Sequence, residues 1–198
     1  MQLKYKSYWR KSGLKGKWGN IFLERLSNHN PKNVLEIGVF CGVTAKNTCD
    51  FLYKSNGNDF TYTGIDLFGS NPSDKRDEIK PNFLKDQKFS NPLKNIYYNY
   101  ILKENLNSIE SVQKLLQEYS QNIKLIAGDT NKVLKEIDLR KIDFVFLDGG
   151  HSYETVVNDL KILERKLKTN AIILCDDYDG KTKIDSVTNA INDFVSEK

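Results

Sequence analysis

Histidine, methionine and proline are scarce in this 198-residue chain, with two, one and four residues respectively. The three cysteines, Cys41, Cys49 and Cys175, form no C-x-x-C pair and are odd in number. That argues against a disulfide framework, and the expectation is a reduced, cytoplasmic chain. No stretch approaches the roughly 18 consecutive apolar residues of a membrane span. No apolar segment follows the basic start MQLKYKSYWRKSG, so no signal peptide is expected either. Acid is missing from residues 1–18, which carry Lys4, Lys6, Arg10, Lys11, Lys15 and Lys17. The net charge of +4 therefore belongs to a basic N-terminal arm, and residues 19–198 are slightly acidic. A nucleic-acid partner is disfavoured: the chain shows no RNA-recognition, zinc-finger or helix-turn-helix signature. The interleaved Tyr5, Tyr8, Trp9 and Trp18 of the arm do resemble a stacking surface.

What is present is enough for one ordinary domain. A hydrophobic fraction of 39% and a charged fraction of 28% exclude wholesale disorder. Apolar runs read as strands at Val34–Ile37, Tyr62–Ile65, Ile123–Ala127, Ile142–Leu147 and Ala171–Cys175. The last two are almost continuously apolar, as in strands covered on both faces of a parallel sheet. Helical patterns fill the gaps at Val43–Tyr53, Asn107–Tyr119, Asn131–Ile137 and Tyr153–Leu167. A last helix carries Ile184, Val187, Ile191, Phe194 and Val195 on one face. This alternation predicts an α/β fold with a mostly parallel sheet and right-handed crossovers. Residues 67–106 break the rhythm with Pro72, Pro81, Pro92 and the cluster Tyr97, Tyr98 and Tyr100. Forty residues are long for a passive connection, so a lid or substrate insertion is expected, with a solvated excursion as the alternative.

The first strand runs into a turn, Asn33-Val-Leu-Glu-Ile-Gly-Val-Phe-Cys-Gly-Val-Thr44. Gly38 permits a tight turn and close ligand approach, and Gly42 opens a helix whose N-terminal amides face a ligand. The four-residue glycine spacing is neither the dinucleotide fingerprint nor a P-loop. Glu36 precedes it, and the resulting E-x-G-x-x-x-G-x-T, ending at Thr44, resembles motif I of class I S-adenosylmethionine-dependent methyltransferases. The second strand ends in Asp66, where an acid can accept hydrogen bonds from both ribose hydroxyls. The third runs into Gly128-Asp129-Thr130, similar to the adenine-side motif of the same superfamily. The resemblance implies a Rossmann-like sheet with helices on both faces, and S-adenosylmethionine held by Glu36, Gly38, Gly42, Thr44, Asp66, Asp129 and Thr130.

Asp148 closes the fourth strand, and Asp176 and Asp177 close the fifth. If those strands are neighbours, three carboxylates converge, and such anions repel one another unless a cation joins them. Mg²⁺ or another hard divalent ion takes such oxygens and keeps positions open for substrate. His151, three residues on, can reach the same space as a general base. The bland alternative is that Asp148 caps the next helix and Asp177 makes an Asx-turn before Gly180.

The run Asp148, Gly149, His151, Tyr153 and Asp159, followed by Asp176-Asp177-Tyr178, resembles the macrocin O-methyltransferase-like, metal-dependent sugar methyltransferases. That resemblance implies metal ligation by Asp148, Asp176 and Asp177, catalysis by His151 and Asp148, and O-methylation of a small polyhydroxylated acceptor such as a sugar or phosphorylated sugar. The superfamily sheet usually continues with two more strands after this point, so they are expected to be missing here, leaving strand five as an edge and a homo-oligomer as one way to cover it. A metal-independent or N-directed methyltransferase and a non-catalytic binding module remain as alternatives. The arm is expected to cover the site, bind an acidic acceptor or mediate assembly.

Overall fold

The computed structural model describes residues 3–70, 87–178 and 185–197. Its centre is a five-stranded sheet, with β1 Asn33–Ile37, β2 Thr61–Asp66, β3 Ile123–Ala127, β4 Phe144–Leu147 and β5 Ile172–Cys175. The order is β3-β2-β1-β4-β5 and every pairing is parallel. The expected Rossmann-like sheet is thus present, with β3 and β5 as edges among the described residues. Parallel strands need crossovers, and helices on both faces supply them. The double cover expected for the last two strands holds for β4, all four residues of which are buried, whereas β5 is an edge and only partly buried.

The helices are α1 Gly16–His29, α2 Val43–Asn56, α3 Pro92–Ile96, α4 Ile109–Leu115, α5 Thr130–Glu136, α6 Tyr153–Lys166 and α7 Asp185–Ser196. A wider π-helical turn, Tyr97–Ile101, continues α3. One face of the sheet packs on α1, α2 and the N-terminal arm, with Phe22, Leu26, Leu52 and Phe144 in that core. The other packs on α5, α6 and α7, with Leu35, Ile65, Leu134, Leu160 and Val187. In α7, Val187 and Ala190 are buried, whereas Val195 lies one residue beyond Phe194 and is turned out to solvent. Ile184 lies outside the described residues, as do Pro72 and Pro81 of the expected lid.

Helix α1 has no counterpart among the sequence-predicted helices. Its Lys15 N-cap offers no side-chain hydrogen bond, and its inward face reads Gly19, Phe22, Leu23 and Leu26, with a glycine where the periodicity needs an apolar side chain. The ring of Tyr5 fills that position: a Cβ on Gly19 would stand 2.4 Å from Tyr5 Cγ. The arm is thereby part of the core. The Tyr5 hydroxyl shares a hydrogen bond with Thr44 Oγ1 at 2.9 Å, and Lys6 N–H donates to Asn47 Oδ1 at 2.7 Å. These contacts cover the outer side of α2, which is why its first two turns are buried almost all round. Among the described residues, no helix is long and apolar enough to cross a membrane.

Candidate active site

The ladder extends one residue beyond each strand. Gly38 N–H donates to Ile65 O, Gly128 N–H to Asp66 O, Asp148 N–H to Ile37 O and Asp176 N–H to Leu147 O, all at 2.8–2.9 Å. These bonds set Gly38, Asp66, Gly128, Asp148 and Asp176 along one carboxyl edge. Open α/β sheets bind ligands there, in the crevice where strand order reverses. Here the reversal lies between β1 and β4, and a cavity of about 630 Å³ opens over it. That volume suits a small-molecule ligand.

The turn after β1 is held by backbone geometry. Gly38, Phe40 and Gly42 all have left-handed φ, at 92°, 52° and 75°. A Cβ on Gly38 would meet Asp148 O at 1.9 Å, so its glycine serves the close packing of β1 against β4. Phe40 tolerates its conformation because its N–H donates to Asp66 Oδ2 at 2.8 Å, while Phe68 N–H donates to Oδ1 at 2.7 Å. Burial raises the Asp66 carboxyl above its ordinary value, against those amides, which lower it. A carboxylate has about four acceptor positions, so these amides do not saturate Asp66, which also lines the cavity. Asp129 caps α5 by accepting from Asn131 N–H at 2.8 Å, and Thr130 begins that helix.

At the other end of the cavity, β4 and β5 are adjacent, with Leu147 opposite Cys175. Asp148, Asp176 and Asp177 all line the cavity. Burial, and then the charges of Asp176 and Asp177, push the Asp148 carboxyl well above the ordinary range. The cap of α6 is Ser152, which accepts from Thr155 N–H, so the capping alternative for Asp148 is not what is seen. His151 Nε2 faces Asp177 Oδ2 at 3.3 Å, and its carbonyl accepts from Ser186 Oγ at 2.6 Å. Asp177 has a left-handed φ of 57°; Gly180, the other half of its expected turn, lies outside the described residues. The donors match a hard divalent cation in chemistry, three carboxylates whose repulsion an ion would relieve. In arrangement, the described residues contain no group of three or more Asp, Glu, His or Cys set to hold one, and Asp177 is turned to His151.

Most of the expected site residues meet on this cavity: Gly38, Thr44, Asp66, Asp129, Thr130, Asp148, His151, Asp176 and Asp177. Two stand behind its wall. Gly42 packs against Val112 and Leu115. Glu36 is 1% exposed and accepts from the Tyr62 hydroxyl at 2.9 Å. Conversely, Lys11–Leu14 and Asn107 line the cavity without having been singled out. The basic arm was visible as charge, but its return to the sheet depends on the Tyr5–Gly19 fit, which no sequence period reports.

Comparison with known proteins agrees with this fold. The S-adenosylhomocysteine-bound methyltransferase PaMTH1 of Podospora anserina superposes with a TM-score of 0.56 at 15% identity, covering 92% of this chain and 70% of that one. The O-methyltransferase NovP gives 0.58 at 18% identity, over 88% and 72%. The calicheamicin methyltransferase CalS11 gives 0.57 at 16% identity, over 87% and 68%. At these identities the likeness is one of fold. No curated protein matches the sequence. A family model described as a methyltransferase domain matches residues 35–178, from β1 through the Asp176-Asp177-Tyr178 segment, and with well over half of the chain inside that match the protein belongs to this methyltransferase family.

Proposed function

We propose that the chain transfers the methyl group of S-adenosylmethionine to a hydroxyl of a small polyhydroxylated, sugar-like acceptor. The observation that carries this reading is the row of acids along one carboxyl edge, Asp66 and Asp129 on one side of the turn, Asp148, Asp176 and Asp177 with His151 on the other. The first pair suits ribose and adenine. The second group suits a hydroxyl nucleophile. NovP and CalS11 are described as an O-methyltransferase and a calicheamicin methyltransferase, which supports oxygen as the target and, for CalS11, also described as a TDP-rhamnose 3'-O-methyltransferase, a sugar as the acceptor.

In the reaction the acceptor oxygen attacks the methyl carbon, the carbon–sulfur bond breaks, and its electron pair stays on sulfur to give neutral S-adenosylhomocysteine. The donor is already activated, so the protein's contribution is alignment and removal of the hydroxyl proton. His151 takes that proton. His151 Nε2 faces Asp177 Oδ2 at 3.3 Å, and the tautomer protonated at Nε2 leaves the lone pair for the acceptor on Nδ1. Asp148 and Asp176 would hold a divalent cation only with Asp177 turned from His151 to join them, and a cation so held would lower the pKa of an acceptor hydroxyl. Asp177 is shared between these roles: as the partner of His151 it serves a metal-free reaction, and as a ligand it serves a metal-assisted one.

Labelled S-adenosylmethionine offered with a panel of sugars and diols tests the reading, with the product located by mass spectrometry. Transfer to oxygen is expected, with His151→Ala lowering turnover by about 10²–10⁴-fold while S-adenosylhomocysteine still binds. Loss of turnover in EDTA, restored by Mg²⁺, selects the metal-assisted form, and full turnover in EDTA selects the Asp177–His151 pair. Full turnover of His151→Ala would contradict the assignment of the base.

A further inference from the structure

We propose that the outward face of α3 and its π-helical continuation, with Trp9 of the arm beside it, docks the chain on a membrane surface that contains anionic lipid. The face lies outside the cavity, and the proposal is independent of the methyl-transfer reading.

The segment from Pro92 to Ile101 is packed the opposite way to an ordinary surface helix, which turns its apolar stripe to the core. Leu93, Ile96, Tyr100 and Ile101, at spacings of 3, 4 and 1, share one face, and each is between 51% and 71% exposed. The polar side chains are the ones used up within the protein. Asn99 Nδ2 donates to Gln87 O at 3.1 Å and to Asn95 Oδ1 at 2.8 Å, and Asn99 Oδ1 accepts from Gln87 Nε2 at 2.7 Å. Tyr98 is buried, its ring stacked on Phe89 with centroids 5.4 Å apart and its hydroxyl donating to Trp9 O at 2.7 Å. These contacts fix the rotation of the helix, so the apolar stripe stays turned to solvent.

Trp9 extends the stripe. Its ring lies 5.0 Å from that of Tyr97 and 5.6 Å from that of Tyr98, yet it keeps nearly half of its surface exposed. Lys94 Nζ stands over the same ring, 5.8 Å from its centroid. Contiguous apolar surface with a polar rim marks an interaction site.

Charge selects the partner. Residues 1–18 and 87–103, the two stretches that meet here, carry six and three basic side chains and no Asp or Glu. Glu104, the next acid along the chain, is engaged by Arg10 at 3.4 Å and Lys114 at 3.7 Å. Exposed Leu, Ile, Tyr and Trp side chains accompanied by lysines alone suit a membrane interface. The aliphatic tips enter the acyl boundary, the amphipathic rings sit at headgroup level, and the ammonium groups meet anionic lipid. A second copy of this chain would bring lysine against lysine across a two-fold axis. Single-stranded nucleic acid stacks on aromatic rings and would leave Leu93, Ile96 and Ile101 without a role.

Flotation of the full chain with vesicles tests this, using phosphatidylcholine alone and phosphatidylcholine with phosphatidylserine at roughly 2:1. Binding to the anionic vesicles is expected, about tenfold or more tighter than to the neutral ones and weakened by salt. Leu93→Ser/Tyr100→Ser should weaken it by about tenfold or more, and Lys94→Gln/Lys103→Gln by about fivefold for each charge removed. Both variants should melt as the wild type does, because none of the four side chains is buried. In a Trp18→Phe chain Trp9 is the sole tryptophan, and its fluorescence should shift to the blue on anionic vesicles. Absence of flotation, equal flotation with neutral vesicles, flotation unaffected by Leu93→Ser/Tyr100→Ser, or an unshifted Trp9 would overturn the proposal. A homodimer or a bound single-stranded oligonucleotide lost on that same substitution, in place of flotation, would assign the face to a second copy or to nucleic acid and overturn it equally.

Discussion

Glu36 shows how a motif position can also carry weight in the fold. It sits beneath the sheet edge with Oε2 on the Tyr62 hydroxyl and Oε1 unpartnered, and burial pushes its carboxyl up to about 8. The folded chain then keeps a proton that the unfolded chain releases near the ordinary 4.5. Its contribution is complete below that ordinary value and is lost as pH rises through about 8. Within the window, stability should fall by on the order of 1.4 kcal/mol per pH unit, and Glu36→Gln, which retains an acceptor for Tyr62, should flatten the slope. Urea unfolding at pH 5.5 and pH 8.5 measures it; an unchanged slope in the variant would assign the dependence to another group. Gly38 is a second case. A Cβ there meets the Asp148 carbonyl at 1.9 Å, whereas one on Gly57, also at positive φ, meets nothing within 4 Å. Gly57→Ala should therefore cost only the backbone strain of its glycine-favouring conformation, φ 60° and ψ −131°, on the order of 1–3 kcal/mol, and Gly38→Ala clearly more. Thermal melts of the two variants compare them directly, and equal losses would remove the close-packing role of Gly38.

At the scale of elements, the strands and the acids that end them were legible because a doubly covered strand writes its burial into consecutive residues. Phe144–Leu147 is such a run, whereas Ile172–Cys175, equally apolar, lies at the sheet edge and is only partly buried; the Asp after each could be placed at the edge by counting. The arm and α1 were not legible. Their fit is between a ring and a missing side chain, Tyr5 on Gly19, residues fourteen apart with no period linking them. Asn107 was hidden differently: it read as the start of a helix, whereas the helix begins after the Ser108 cap, leaving Asn107 on the cavity wall. The arm's anchoring has a direct consequence. Gly19→Leu should expel Tyr5, break its bond to Thr44 and free the segment before Arg10, so trypsin should cleave the arm faster than in the wild type. S-adenosylhomocysteine should protect the wild-type arm but not the variant. Equal cleavage of the two proteins would show that Tyr5 does not hold it.

For the molecule as a whole, the net charge of +4 conceals two regions of opposite sign that meet at one cavity. The carboxyl edge of the sheet is acidic and suits a cationic sulfonium donor; the basic arm lines the same cavity through Lys11–Leu14. The parallel order β3-β2-β1-β4-β5 creates this meeting place, since the reversal between β1 and β4 opens the crevice and the arm reaches it across α2. The most direct test is a crystal structure of the chain soaked or grown with S-adenosylhomocysteine. The account predicts density in the cavity with the ribose hydroxyls on Asp66, adenine beside Asp129, and sulfur turned towards Asp148 and His151. An empty cavity at saturating ligand, or the ligand bound elsewhere on the chain, would contradict it.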